Sequence, residues 1–317
     1  MKTLCLTPVD HIPGVVGKLK QKAQAFNYPD ADMDKAKFLI SELEPTALFV
    51  NPNKQTYKLD RALLEGSSVK VIATASTGTD HIDKAFCKEA GIEIISLTTD
   101  YQTIKHISST AELAFGLTLS IVRNINDAAE SVRDGRWDYK PYVGRQMNRL
   151  TVGVIGYGRL GSMYADYCNA FGSRVLICDP FVPAPSRYEQ VEIEEIFEEC
   201  DIVAIHVHHD EATHNMIDES LFCRSDGCYL INTSRGGIVD EEDVVQSLKM
   251  GYLKGYATDV LANEQGDIAG SPILAAMHGG ANILVTPHIG GMSIEAQEMA
   301  YGRIADKLNQ WFDRNPS

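Results

Sequence analysis

The stretch TVGVIGYGRLG, residues 151–161, decides how this chain folds. An apolar, β-branched run ends in glycines at GxGxxG spacing, Gly156, Gly158 and Gly161, and MYADYCNAFG follows at once with a helical pattern. Strand, tight turn and helix in that order open a dinucleotide-binding βαβ unit. Gly156 permits the turn, Gly158 lets backbone approach a pyrophosphate, and Gly161 lets helix pack on strand, while the helix amides of Arg159 and Leu160 face the phosphates. The glycine spacing alone is a weak signal. It is strengthened by SRVLICD, which ends in Asp179, 18 residues beyond Gly161, where a carboxylate accepts from the adenosine ribose hydroxyls. The same carboxylate repels a 2′-phosphate, and Pro180 and Phe181 supply no arginine to receive one. NAD is therefore expected rather than NADP. A helix-packing glycine turn with a capping aspartate is the bland alternative.

Outward from that unit, short apolar runs recur with helical patterns or turns between most of them: LFV, KVIATA and IEIIS before it, RVLIC, DIVAIHV, YLINTS and NILVTP after it. Alternation of this kind predicts an α/β fold with parallel sheets covered by helices on both faces, here two doubly wound lobes. A Rossmann NAD-binding domain is expected over residues 99–289, flanked by a substrate lobe built from residues 1–98 and 290–317. STAELAFGLTLSIVRN, residues 109–124, predicts a long helix behind a Ser109/Glu112 capping box, a candidate for crossing between lobes. The polar segment after it, residues 127–149, carries Trp137, Tyr139 and Tyr142 and is too long for a simple connector. SIEAQEMAYGRIADKLNQWF reads as one amphipathic helix returning to the first lobe.

The chain has 317 residues and a formal net charge of -14, which repels nucleic acid and anionic membrane surfaces. No apolar run approaches a bilayer span and no signal peptide is apparent, so a cytoplasmic protein is expected. The seven cysteines, Cys5, Cys87, Cys168, Cys178, Cys200, Cys223 and Cys228, include no CxxC pair and read as reduced, mostly apolar residues.

Downstream, three strand ends each deliver one polar group suited to catalysis: Arg235 in NTSRGG, Glu264 in ATDVLANEQ and His288 in LVTPHIGG. A guanidinium holds a carboxylate bidentately. An imidazole titrates near neutral pH, and a carboxylate on its other nitrogen fixes the tautomer. Together these are the parts needed to reduce a 2-oxo acid. Taken singly, a structural salt bridge, a solvated loop carboxylate and a satisfied histidine explain them as well.

The combination GYGRLG, Asp179, NTSRGGIVDEEDV, ATDVLANE and TPHIGG resembles the D-isomer-specific 2-hydroxyacid dehydrogenase family, in particular its phosphoglycerate dehydrogenase-like members. ASTGTDHID (75–83) and SSTAELAFGLTLSIVR (108–123) extend the resemblance over nearly the whole chain. It implies a flavodoxin-like substrate domain beside the Rossmann domain. It further implies that Arg235 binds the substrate carboxylate and carbonyl, and that His288, supported by Glu264, protonates the carbonyl oxygen as hydride arrives. Asp259 would hold the nicotinamide carboxamide. Thr233, Ser234, Val207 and Gly290 would lie along the cofactor, with Thr77 and Thr110 toward the nicotinamide end. Backbone amides around Ser76, Thr77 and Gly78 would receive the carboxylate, and the segment after the crossing helix would help form a homodimer.

Departures from the family pattern are specific. His208 and His209 stand where a proline and a hydrophobic residue are usual, which alters the expected adenine pocket. With His206 they invite a metal, but no carboxylate or cysteine set completes a site and none is expected. The loop after Glu264 looks longer than usual, with Gln265 for a common proline. Thr74 and the run Asn51 to Asn53 are neutral where phosphoglycerate enzymes carry arginines, with Lys54 and Lys105 the nearest substitutes. Two rivals stay open: oxidation of a small anion, as in formate and phosphite dehydrogenases, and an NADH-sensing, corepressor-like binding protein.

Overall fold

The computed structural model describes residues 1–53, 57–264, 266 and 268–316, so Lys54 and Gln265 lie outside the described residues. In chain order the elements are β1 (Lys2–Cys5), α1 (Val15–Leu19), β2 (Gln24–Asn27), α2 (Met33–Leu43), β3 (Ala47–Val50), α3 (Arg61–Leu64), β4 (Val71–Thr74), α4 (Lys84–Ala90), β5 (Glu93–Ile95) and α5 (Tyr101–Ile104). Then come α6 (Ser109–Val122), α7 (Ile125–Arg133), β6 (Thr151–Ile155), α8 (Arg159–Ala170), β7 (Arg174–Cys178), β8 (Glu189–Gln190), α9 (Ile193–Glu199) and β9 (Ile202–Ile205). The chain closes with α10 (Glu219–Phe222), β10 (Cys228–Asn232), α11 (Glu241–Met250), β11 (Leu253–Thr258), α12 (Pro272–His278), β12 (Ile283–Val285) and α13 (Ile294–Arg314).

Two compact units result, residues 1–107 with 291–317, and residues 108–290. The first holds a parallel sheet of order β2-β1-β3-β4-β5 among the described residues, the flavodoxin-like order. Alternate strand residues face opposite ways. Cys5, Phe49 and Ala73 pack with Val15, Leu19, Ile304 and Leu308, while Leu4, Leu48 and Ile72 pack with Leu39, Leu63 and Phe86. Helices thus cover both faces. The second unit's sheet runs β12-β11-β10-β9-β6-β7-β8, parallel throughout, with β6 at the switch point as in the Rossmann order. Val152, Val154 and Ala204 face α6 and α8, whereas Ile155, Val203 and Ile205 face Phe197, Phe222 and Val244.

The boundaries differ from the sequence expectation of 98/99 and 289/290. Residues 99–107 stay with the first unit because Asp100 accepts from Arg303 Nε at 2.6 Å and pairs with Lys307 Nζ at 3.0 Å, and Ile104 enters that unit's core. Gly290 stays with the second because its N–H donates to Asp259 Oδ2 at 2.7 Å. The expected capping box at Ser109 is also corrected. Ser108 is the N-cap, with Oγ donating to Glu112 Oε1 at 2.6 Å, and Ser109 Oγ is buried without a hydrogen-bond partner among the described residues. The segment after α6 starts as α7 and continues through single turns at 140–142 and 147–149, leaving Trp137 91% exposed. All seven cysteines are free; Cys223 is exposed, Cys178 half-buried and the others buried. No helix of the described residues is long and apolar enough to cross a membrane.

Candidate active site

The second unit's chemistry gathers at the carboxyl ends of its strands, where open α/β sheets bind ligands. Gly156 leaves β6 with φ +91°, and a Cβ there would sit 2.7 Å from the His206 carbonyl oxygen. A Cβ on Gly161 would lie 1.9 Å from the Gly156 oxygen, so only hydrogen fits where α8 crosses the turn. Gly158 is different. Its φ of -77° suits any residue, and nothing lies within 4 Å of where its Cβ would be. That open side, beside the first-turn amides of Arg159 and Leu160, leaves room for an anion such as a pyrophosphate to approach the backbone. Val207 packs on the same turn, its Cγ1 2.8 Å from the place of a Gly156 Cβ.

Asp179 follows β7 and is held in place by backbone. Its Oδ2 accepts from Tyr157 N–H at 2.7 Å, and Oδ1 accepts from Phe181 and Val182 N–H at 2.8 and 2.9 Å. A carboxylate accepts about four hydrogen bonds, so capacity remains for a ribose hydroxyl. Just beyond the end of β10, Thr233 is buried with Oγ1 unpartnered among the described residues, an orphaned polar atom that suits a ligand contact. Ser234 Oγ donates to the Ile205 carbonyl at 2.8 Å. The glycine turn, the open face at Gly158, Asp179 and Thr233 together fit a dinucleotide.

Arg235 stands at the start of the turn Gly236–Ile238, where Asn232 organises the backbone. Asn232 Nδ2 donates to the Arg235 carbonyl at 3.0 Å and its Oδ1 accepts from Ser234 N–H at 3.0 Å. The Arg235 guanidinium donates from Nη1 to the Ser234 carbonyl at 2.6 Å. A Cβ on Gly236 would meet the Leu261 carbonyl carbon at 2.0 Å, so this turn sits directly on the strand-end segment leading to Glu264.

His288 and Glu264 do meet, Nδ1 to Oε1 at 2.9 Å, with side chains 20% and 28% exposed. His288 has φ +54°, a left-handed conformation uncommon outside glycine. What holds it there is Asp259, 1% exposed. Its carboxylate accepts from Thr286 Oγ1 at 2.6 Å, Ile289 N–H at 2.8 Å and Gly290 N–H at 2.7 Å, and its carbonyl accepts from His288 N–H at 3.0 Å. Burial pushes the Asp259 pKa up, opposed by these donors, Thr286 foremost. Thr110 stands against Gly290, its Cγ2 3.1 Å from where a Cβ would be. Sequence reasoning missed Asn232, Thr286 and Glu241. Glu241, nearly buried, accepts from Ala262 N–H at 2.7 Å and Ser271 Oγ at 3.2 Å, bracing the loop that bears Glu264. His208 is exposed, and His209 Nε2 lies 3.2 Å from His214 Nδ1.

Ser76, Thr77 and Gly78 belong to the first unit, just beyond β4. Ser76 Oγ donates to the Gly78 carbonyl at 2.7 Å, and Thr98 Oγ1 donates to the Thr77 carbonyl at 2.6 Å.

A Rossmann unit with a carboxylate-supported histidine at its strand ends, accompanied by a flavodoxin-like unit, defines a class of dinucleotide-dependent dehydrogenase. The family described as D-isomer specific 2-hydroxyacid dehydrogenase, NAD binding domain, matches residues 115–290. Hydroxypyruvate reductase of Thermotoga maritima is 32% identical over 245 residues, 77% of this chain and 78% of that protein. D-3-phosphoglycerate dehydrogenase of Synechocystis is 30% identical over 296 residues, 92% of this chain; the chain spans 50% of that relative's length. Among solved structures, D-lactate dehydrogenase from Aquifex aeolicus, complexed with NAD and lactic acid, superposes with TM-score 0.78 at 26% identity, covering 99% of this chain and 96% of that one. The TT0316 protein from Thermus thermophilus superposes with TM-score 0.80 at 26% identity, over 98% and 96% of the two chains. This chain belongs to the D-isomer-specific 2-hydroxyacid dehydrogenase family.

Proposed function

We propose that this chain is an NAD-dependent oxidoreductase interconverting a D-2-hydroxy acid and its 2-oxo acid. The observation that carries the reading is the His288–Glu264 pair at 2.9 Å beside a dinucleotide cradle. Gly156 to Leu160 with Arg159 would take the pyrophosphate, Asp179 the ribose, and Val207, Thr233, Ser234, Thr110, Asp259 and Gly290 would line the rest. The nicotinamide, when bound, supplies the hydride in reduction and accepts it in oxidation. With Nδ1 engaged by Glu264, His288 works through Nε2, giving a proton to the carbonyl oxygen or taking it from the hydroxyl. Arg235 holds the substrate carboxylate through its planar fork. Asp179 favours NAD by repelling a 2′-phosphate. The exposed Trp137, Tyr139 and Val143, at 91%, 76% and 72%, support a homodimer built on the segment after α6, and the free thiols suit a cytoplasmic setting.

The test is NADH oxidation with glyoxylate, hydroxypyruvate, pyruvate and phosphohydroxypyruvate. His288→Asn keeps a residue type that tolerates left-handed backbone. It is expected to lower kcat by about two decades or more while leaving NADH affinity unchanged. Turnover at the wild-type rate in that variant removes His288 from the mechanism. Tight NADH binding with no turnover of any acid by the unmodified protein would favour a cofactor sensor instead.

A further inference from the structure

The first unit carries a hydrogen-bond chain for which the reaction just proposed has no assigned use. At the carboxyl ends of β3 and β4 sit three buried polar side chains, Asn51, Thr74 and His81, at 2%, 0% and 1% exposure. Thr74 Oγ1 lies 2.9 Å from Ser76 Oγ and 3.1 Å from His81 Nε2. The proton directions follow from counting. Ser76 spends its single hydroxyl proton on the Gly78 carbonyl at 2.7 Å, so it accepts from Thr74. Thr74 then has no proton left for His81 and must accept from it. The chain runs His81 Nε2–H to Thr74 O–H to Ser76 O–H to the Gly78 carbonyl, which fixes the tautomer of His81.

The carbonyls of this turn are tied back one after another. Ala75 O accepts from Asn51 Nδ2 at 2.9 Å, Ser76 O from Leu97 N–H at 3.0 Å, Thr77 O from Thr98 Oγ1 at 2.6 Å, and Gly78 O from Ser76. The amides of Ser76, Thr77 and Gly78 donate to nothing among the described residues. With each peptide plane held by its oxygen, the N–H groups are left to a ligand, as in an anion-binding nest. Orientation fixed before binding removes an ordering cost from affinity.

We propose that His81 is a positioning residue for the substrate: its Nε2–H, relayed through Thr74 and Ser76, locks the turn at residues 75–78 with its amides presented to the carboxylate of the 2-oxo acid. The proposal rests on the dehydrogenase reading for the ligand's identity, and on the hydrogen-bond chain alone for the device. Thr74→Val keeps the shape and removes the relay hydroxyl. It is expected to raise KM about tenfold for the fastest of glyoxylate, hydroxypyruvate and pyruvate, a loss of about one hydrogen bond's worth of orientation, with kcat within about twofold and NADH affinity unchanged. Thr74→Ser restores the hydroxyl and should restore KM, an outcome that a loss of packing alone would not give. Histidine-selective 15N spectra of the whole protein, assigned with His81→Gln, should show His81 as the Nε2–H tautomer. An unchanged KM in Thr74→Val, or an Nδ1–H signal for His81, overturns the proposal. If the unmodified protein reduces none of the acids, the dehydrogenase reading fails, and the histidine tautomer still decides whether the relay exists.

Discussion

His206 shows what a single buried imidazole costs. Both ring nitrogens are inaccessible and without hydrogen-bond partners among the described residues, the ring lies 5.0 Å from that of Tyr164, and burial pushes its pKa down to about 4. In the unfolded chain a histidine takes up its proton near pH 6.5. Between those values the unfolded state binds more protons than the folded one, so stability falls as pH falls. The loss starts below about pH 6.5 and is complete near the folded value, on the order of 3 kcal/mol at about 1.4 kcal/mol per pH unit. His206→Leu is expected to flatten the fall of Tm between about pH 6.5 and 4, measured by thermal melts at closely spaced pH. A variant melting curve as steep in pH as the wild type would assign the acid sensitivity elsewhere. At this scale the sequence marked Arg235, Glu264 and His288 as polar residues at the ends of apolar runs, and the last two meet at 2.9 Å. It was silent on Asn232, Thr286 and Glu241, whose work depends on which loops meet: Thr286 matters only because Asp259 is buried beside it.

Turns show the same dependence one level up. The turn Gly236–Ile238 positions Arg235 by lying against the Leu261–Ala262 backbone, where a Cβ on Gly236 would fall 2.0 and 2.2 Å from the Leu261 carbon and the Ala262 nitrogen. Backbone cannot give way as a flexible side-chain tip can, so Gly236→Ala must displace the turn, at a cost of about 1–3 kcal/mol. We expect KM for the oxo acid to rise with little change in NADH affinity, because Asp179 and the Gly156 turn are separate elements; steady-state kinetics with a fluorescence titration of NADH checks both. Equal loss of both would mean that the second unit had failed to fold. Strands β3, β4, β5, β6, β7, β9, β10 and β12 were readable as short apolar runs, whereas β2 and β8, QAFN and EQ, lack such a run and exist as pairings at the sheet edges. The helix start at Ser109 was misread by one residue because Ser108 competes for the same Glu112, a choice that local spacing does not decide.

Across the whole molecule, the chain leaves the first unit at residue 107 and re-enters it at 291, so that unit depends on a segment distant in sequence from its other elements. Tyr301, Ile304, Leu308, Trp311 and Phe312 of α13 are all buried in the core formed by Cys5, Phe49, Val71 and Ala73. At roughly 2 kcal/mol for each large side chain, α13 contributes about 10 kcal/mol, as much as the net stability of a whole domain. The first unit should therefore not survive without it. The second unit shares none of these residues: its cores use α6 and α8 on one face and α9 to α12 on the other. Ending the chain after Gly290 keeps the amide that binds Asp259 and removes all of α13. In that shortened protein, limited proteolysis should cut freely within residues 1–107 while 108–290 persists as a resistant fragment that still quenches or shifts NADH fluorescence. Oxo-acid reduction should be lost, since the turn proposed to receive the carboxylate, Ser76 to Gly78, lies in the unit that unfolds. A resistant first unit would show that its sheet closes without α13, and loss of NADH binding would show that the second unit borrows stability from the first.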